Sequence, residues 1–137
     1  MTTPNGAKYP DALATIITVL QSCMPGVWIA DVFPEYKGMP ANLPAVRIDL
    51  LPGGETVPWG GPGGSVREVV MLDIDVIAAS RAAATPVASD VRDLLHALPT
   101  MPGTGVTFVE CPPMSTRPDV NPNVRRLGVD AEIHMSV

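Results

Sequence analysis

The stretch Val66–Ala79, "VREVVMLDIDVIAA", decides how the chain is built. Val70, Leu72, Ile74, Val76 and Ala78 fall on one side of an extended strand, since successive side chains alternate between faces. The other side reads Arg67, Val69, Met71, Asp73, Asp75 and Ile77. One face is continuously apolar and the other mixed, which predicts a central strand with one face on a core and one not fully solvated.

Directly after it, "TPVASDVRDLLHALP" places Val87, Val91, Leu94, Leu95 and Leu98 at helical spacing, with Pro99 as a stop. Two starts fit this helix. Thr85 can cap it with Pro86 following, or it can begin in "RAAA" with Pro86 near its first turn. Gly105–Cys111 reads as a strand and "PPMSTRPDVNPN" as a proline-rich loop. The last segment alternates, with Leu127, Val129, Ala131, Ile133, Met135 and Val137 on one face and Arg126, Asp130, Glu132, His134 and Ser136 on the other. Upstream, "YPDALATIITVLQSCMPG" carries the stripe Leu13, Ile16, Ile17, Leu20 and Met24. Pro10 and Asp11 suit its start, and Pro25-Gly26 ends it. Val27–Phe33 and Ala45–Leu51 are strands, the second alternating around Arg47 and Asp49. The order α-β-β-β-α-β-β predicts an α+β fold: a mainly antiparallel sheet packed on two helices, with a long β-hairpin loop.

The 137 residues suit one domain, 1–137. A 46% apolar and 17% charged composition is that of a chain with a core rather than a disordered one. A net charge of −5 argues against non-specific nucleic-acid binding, which needs a basic face. Cys23 and Cys111 are too few for a disulfide framework, lack metal-ligand spacing, and read as small hydrophobes in a reducing compartment. Neither a membrane-length apolar run nor a signal-peptide layout is present, so the sequence predicts a soluble intracellular product.

Chemical constellations are sparse. Asp73 and Asp75 share a strand face and could hold a divalent cation, but no nearby His, Glu or Asn completes a ligand set. His96 sits near a helix C-terminus, where a cationic imidazole is favoured anyway, and His134 lies on the polar face of the last strand. No G-x-S-x-G elbow occurs. Pro52–Ser65, "PGGETVPWGGPGGS", holds six of the 12 glycines but no phosphate-binding pattern. It lacks a Lys, and a strand rather than a helix follows it, so the phosphate reading fails. The segment reads instead as a hairpin connection longer than turning the chain requires. Trp59 near its tip is either an interface anchor or folds back on its own domain. On the face opposite the apolar rows, Asp49, Asp73, Asp75, Asp130 and Glu132 project beside Arg47 and Arg126. That face is an ordinary solvated one or, in a closed ring, a partly acidic bore that repels passing DNA.

"DALATIITVLQSCMPG", "LPAVRIDLLPGG", "MLDIDVIAAS" running into "RAAATPVASDVRDLLHALP", and "RPDVNPNVRRLGVDAEIHM" together resemble the tail terminator (tail completion) proteins of long-tailed bacteriophages, particularly those of actinobacterial hosts. The resemblance covers nearly the whole chain and rests on order, size and diffuse pattern. It implies a virion structural protein with no catalysis and no cofactor. Such a protein caps the tail tube as a hexameric ring, ends tail polymerisation and offers the head–tail joining surface. The implied partners are copies of itself, the tail tube protein and a head–tail connector, with DNA passing through without specific binding and no membrane involved. The implied place is the virion, at the head–tail junction, after assembly in the host cytoplasm. A head-completion or connector protein of the same neck region is the nearest alternative, and a small ligand-binding α+β domain a more distant one. The two loops and the strand ends beside them then supply candidate interface residues: Glu55, Pro58 and Trp59 with Arg67 at the first, and Arg117 and Asp119 with Arg125 and Arg126 at the second. Asp73, Asp75, Asp130 and Glu132 are the candidate bore-facing acids.

Overall fold

In the computed structural model the described residues are 11–35, 41–58, 66–119 and 121–136. Helix α1 spans Ala12–Cys23. Its N-cap is Asp11, whose carboxylate accepts from Ala14 N at 3.0 Å, so this residue closes the helix end rather than only complementing its dipole. Ile16 and Leu20 are fully buried along the stripe that the spacing predicts. Gly26, at φ 88°, takes the left-handed conformation after Pro25 and lets the chain reverse into the sheet.

Strand β1 is only Trp28–Ala30, shorter than the expected Val27–Phe33. Strand β2 covers Ala45–Pro58 and β3 covers Val66–Ala78. Part of the glycine-rich segment expected as loop is therefore ladder. Glu55 opposes Val69 and Pro58 opposes Val66, after a register shift between Leu51 and Glu55 that absorbs Pro52-Gly53-Gly54 as a bulge. Beyond that shift the two strands continue as an arm, whose β3 half stays paired with β6 as far as Arg67 and Ser136.

Helix α2 runs Arg81–Ala97, capped by Ser80, whose Oγ accepts from Ala83 N at 3.1 Å. The start is thus the "RAAA" one and not Thr85, and Pro86 lies inside the helix. The Thr85 hydroxyl donates to Arg81 O, one turn back, at 2.9 Å. A 3-10 turn, Leu98–Thr100, follows, and buried Thr104 ties it to the next strand: its hydroxyl bonds Leu98 O and Met101 O and accepts from Val106 N. Strands β4 (Val106–Glu110), β5 (Ser115–Arg117) and β6 (Arg125–Ser136) complete the chain. The three-residue β5 lies in what reads from sequence as a loop.

The six strands form one mixed sheet of order β1-β2-β3-β6-β4, with β1 parallel to β2 and the other pairs antiparallel. β5 also pairs with β6, opposite Arg126–Gly128, whereas β4 pairs opposite Glu132–Met135. Both edge strands therefore lie along the same side of β6. The helices cover one sheet face. Ile16, Leu20, Val91 and Leu95 from the helices join Val46, Ile48, Leu72, Ile74, Val76, Ile133 and Met135 in one core cluster. The chain is α+β, with a mainly antiparallel sheet on two helices.

Candidate functional site

Register assembles the site. Across β2, β3 and β6, Arg47 opposes Asp75, which opposes Gly128; one row further, Asp49 opposes Asp73, which opposes Asp130. Directly paired residues point to the same face, so both rows stand on the side away from the helices. β5 adds Arg117 opposite Arg126 on that face.

Asp75 is wholly buried there. Its carboxylate accepts from Arg47 Nη2 at 2.6 Å, from Arg117 Nη1 at 3.0 Å, and from Arg126 Nε and Nη2 at 3.0 and 2.9 Å. Arg47 and Arg117 also reach Asp73, while Arg117 Nη2 meets Asp130 at 3.1 Å. Arg126 lies 3.7 Å from Asp119, so the β5 segment gives one cation to the sheet and receives one from it. Phe33, just past β1, places its ring 5.6 Å from the Arg47 guanidinium and 5.3 Å from that of Arg126.

Gly128 makes this possible. A Cβ there would overlap Arg117 at Cδ, Nε and the guanidinium carbon. The Arg117 side chain crosses β6 over the space that a side chain at 128 would fill.

Burial alone would push the Asp75 carboxyl up, but hydrogen bonds from Arg126 and Arg47, with their charges, hold it below its ordinary value. Burial would likewise lower Arg47 and Arg117, and bonding to the two aspartates raises both instead. Arg126 is raised chiefly by its bond to Asp75. Asp75 and the three arginines thus favour one another's charged forms.

Several expectations change in consequence. Asp73 and Asp75 do share a face, but Asp75 has no exposure and both are bridged by guanidinia, so they are not bare carboxylates offered to a bore. Asp130 and Glu132 keep side-chain exposures of 59% and 36%, and the Asp49 side chain and Glu110 on the same face are exposed as well. Arg117, Asp119 and Arg126 turn inward onto this network rather than standing free for another chain. Arg125 is exposed and bonds Pro122 O and Val124 O. Glu55 and Pro58 sit on the β2 half of the arm, and Arg67 on β3 opposite Val57 and Ser136. Trp59 lies outside the described residues.

His134 sits 3.6 Å from Glu132 and meets Phe108 edge-on at 5.1 Å between ring centroids. His96 is in the last turn of α2. Among the described residues, no three His, Cys, Asp or Glu side chains converge as metal ligands. Phe33 and Gly128 carry no signal in sequence alone. Their roles follow from register and from the turn after β1, which pattern reading does not fix.

No protein-family model and no curated protein matches the chain. Among solved structures, a chain from "Virion of native gene transfer agent (GTA) particle" superposes with a TM-score of 0.52 at 17% identity. The match covers 94% of this chain and 87% of that one. The fold is shared with a virion chain. At that identity the likeness is one of architecture, and it runs the length of both chains.

Proposed function

We propose that the chain is a structural protein of a phage-like virion and, more narrowly, a tail terminator: a non-catalytic subunit that closes as a ring on the tail tube, stops its polymerisation and presents a surface to the head-side connector. The observation carrying this reading is the fold likeness to a virion chain over 94% of the sequence, to which the resemblance in element order adds. The architecture suits the task. The core lies on one face of the sheet, the other face is held by an internally compensated charge cluster, and the β2–β3 pairing continues past its register shift as an arm. A closed head-to-tail ring needs two different patches per subunit, and an arm plus a separate body surface can supply them. Asp130 and Glu132 are then among the acids available to repel DNA in a bore.

Deletion of the gene from its phage-like element, followed by electron microscopy of the particles, tests the reading. Tails of uncontrolled length, or tails not joined to heads, are expected. Normal infectious particles would overturn it.

A further inference from the structure

A groove of about 250 Å³ runs between α2 and the β5 segment, smaller than most drug-sized ligand pockets. Its floor includes Met114 and Leu127, one wall is the α2 stripe Arg81, Thr85 and Arg92, and the other includes Thr116 of β5. Arg81 and Arg92 are its only charged lining residues, in a chain of net charge −5.

Eleven positions separate the two arginines, about three turns at 3.6 residues per turn, so both leave the same side of the helix from backbone positions about 16 Å apart. Asp90 lies on the opposite side of the helix by the same count, and Asp93 about a third of a turn away. Unlike Arg47, Arg117 and Arg126, neither groove arginine has a carboxylate partner among the described residues. Arg92 Nε donates to Cys111 O at 2.7 Å, which fixes its guanidinium at one end of the groove and leaves the terminal nitrogens for another acceptor. β5 pairs only with β6, so its other edge carries no strand among the described residues.

We propose that this groove receives an acidic extended peptide. Its backbone adds to the open edge of β5, its apolar side chains rest on Met114, and two of its carboxylates meet Arg81 and Arg92. Strand geometry sets the spacing. At about 3.3 Å per residue, 16 Å is close to five residues, and same-face side chains recur at even steps, so the carboxylates stand four or six residues apart. A nucleic acid would use neither the open strand edge nor the apolar floor, and would approach an acidic molecule. The inference does not rest on the virion reading.

The test titrates the full chain, by amide NMR at low salt, with a blocked nine-residue Ser/Thr/Val peptide carrying two glutamates six residues apart. Saturable shifts at Ser115–Arg117 and Leu127 are expected. Arg81→Glu should weaken binding about tenfold, the loss of one charge-assisted contact. That variant introduces a carboxylate into the first turn of α2, which the helix dipole favours, so it should fold. Thr85→Glu, at an exposed position between the arginines, should weaken binding similarly. A peptide with one glutamate changed to lysine should recover affinity for Arg81→Glu alone. The proposal is overturned by any of three results: no saturable binding, equal binding of wild type and Arg81→Glu, or tighter binding of a single-stranded oligonucleotide at the same amides.

Discussion

Asp75 accepts four hydrogen bonds from three guanidinia, which fills the four acceptor sites of a carboxylate. Such a cluster is weak evidence for net stability, because desolvating the charges offsets much of their attraction. Removing one member is a different matter. Asp75→Ala leaves three cations around an empty site and is expected to cost about 3–5 kcal/mol by denaturant unfolding. An unchanged midpoint would mean that water compensates the arginines. The carboxyl of Asp75 is lower in the folded chain than its ordinary 3.8. Its contribution is therefore present above about pH 4 and lost as pH falls through the folded value, where the unfolded chain binds more protons. Asp75→Asn should flatten the acid limb of stability against pH, and a limb of unchanged slope would assign that limb to other groups. Gly128 has a separate test. Gly128→Ala should force Arg117 off Asp73 and Asp75, costing about 1–3 kcal/mol, and Arg117→Ala should relieve most of it. Full additivity of the two changes would show that Arg117 does not cross position 128 in solution.

At the scale of elements, each helix depends on one side-chain cap. Asp11→Ala and Ser80→Ala should each cost about 1 kcal/mol, and the two should add because they cap different helices. A loss below a few tenths for either would mean that water replaces the cap. Both helices and the long strands were legible in sequence, because Ile16 and Leu20, or Leu72, Ile74 and Val76, report the period of the element directly. Three features were not. β5 is Ser-Thr-Arg between prolines, with no apolar alternation, and is held by pairing with β6 and by Arg117. The extension of β2 to Pro58 was hidden because Pro52, Gly53 and Gly54 argue for a loop, whereas the ladder resumes beyond them at Glu55. The charge cluster was visible only as ingredients. Arg47, Asp73, Asp75 and Arg126 were all placed on one face, but which aspartate meets which arginine depends on strand register. A slip of one residue would turn Asp75 into the core. The burial cost of such a slip makes the cluster a register lock as much as a set of bonds.

At the scale of the whole molecule, the contribution of β2 and β3 to the core cluster stops at their register shift. The core cluster takes its β2 and β3 members from Val46, Ile48, Leu72, Ile74, Val76 and Ala78, all on the body side of the register shift. Val70 is only partly buried against it. Replacing Thr56–Glu68 by Asn-Gly would join the paired residues Glu55 and Val69 through a two-residue hairpin turn. It removes ladder pairs to Met135 and Ser136 but no member of the core cluster. The shortened chain should keep its far-ultraviolet spectrum and unfold cooperatively, with stability within about 2 kcal/mol of the parent. If the arm serves assembly, the same variant should lose ring closure or cosedimentation with isolated tail tubes, and Trp59→Ala should weaken that association while leaving monomer stability nearly unchanged. A shortened chain that fails to fold would show the arm to be structural. One that folds and still joins tubes normally would move the assembly surface to the body, onto the face carrying Asp130 and Glu132.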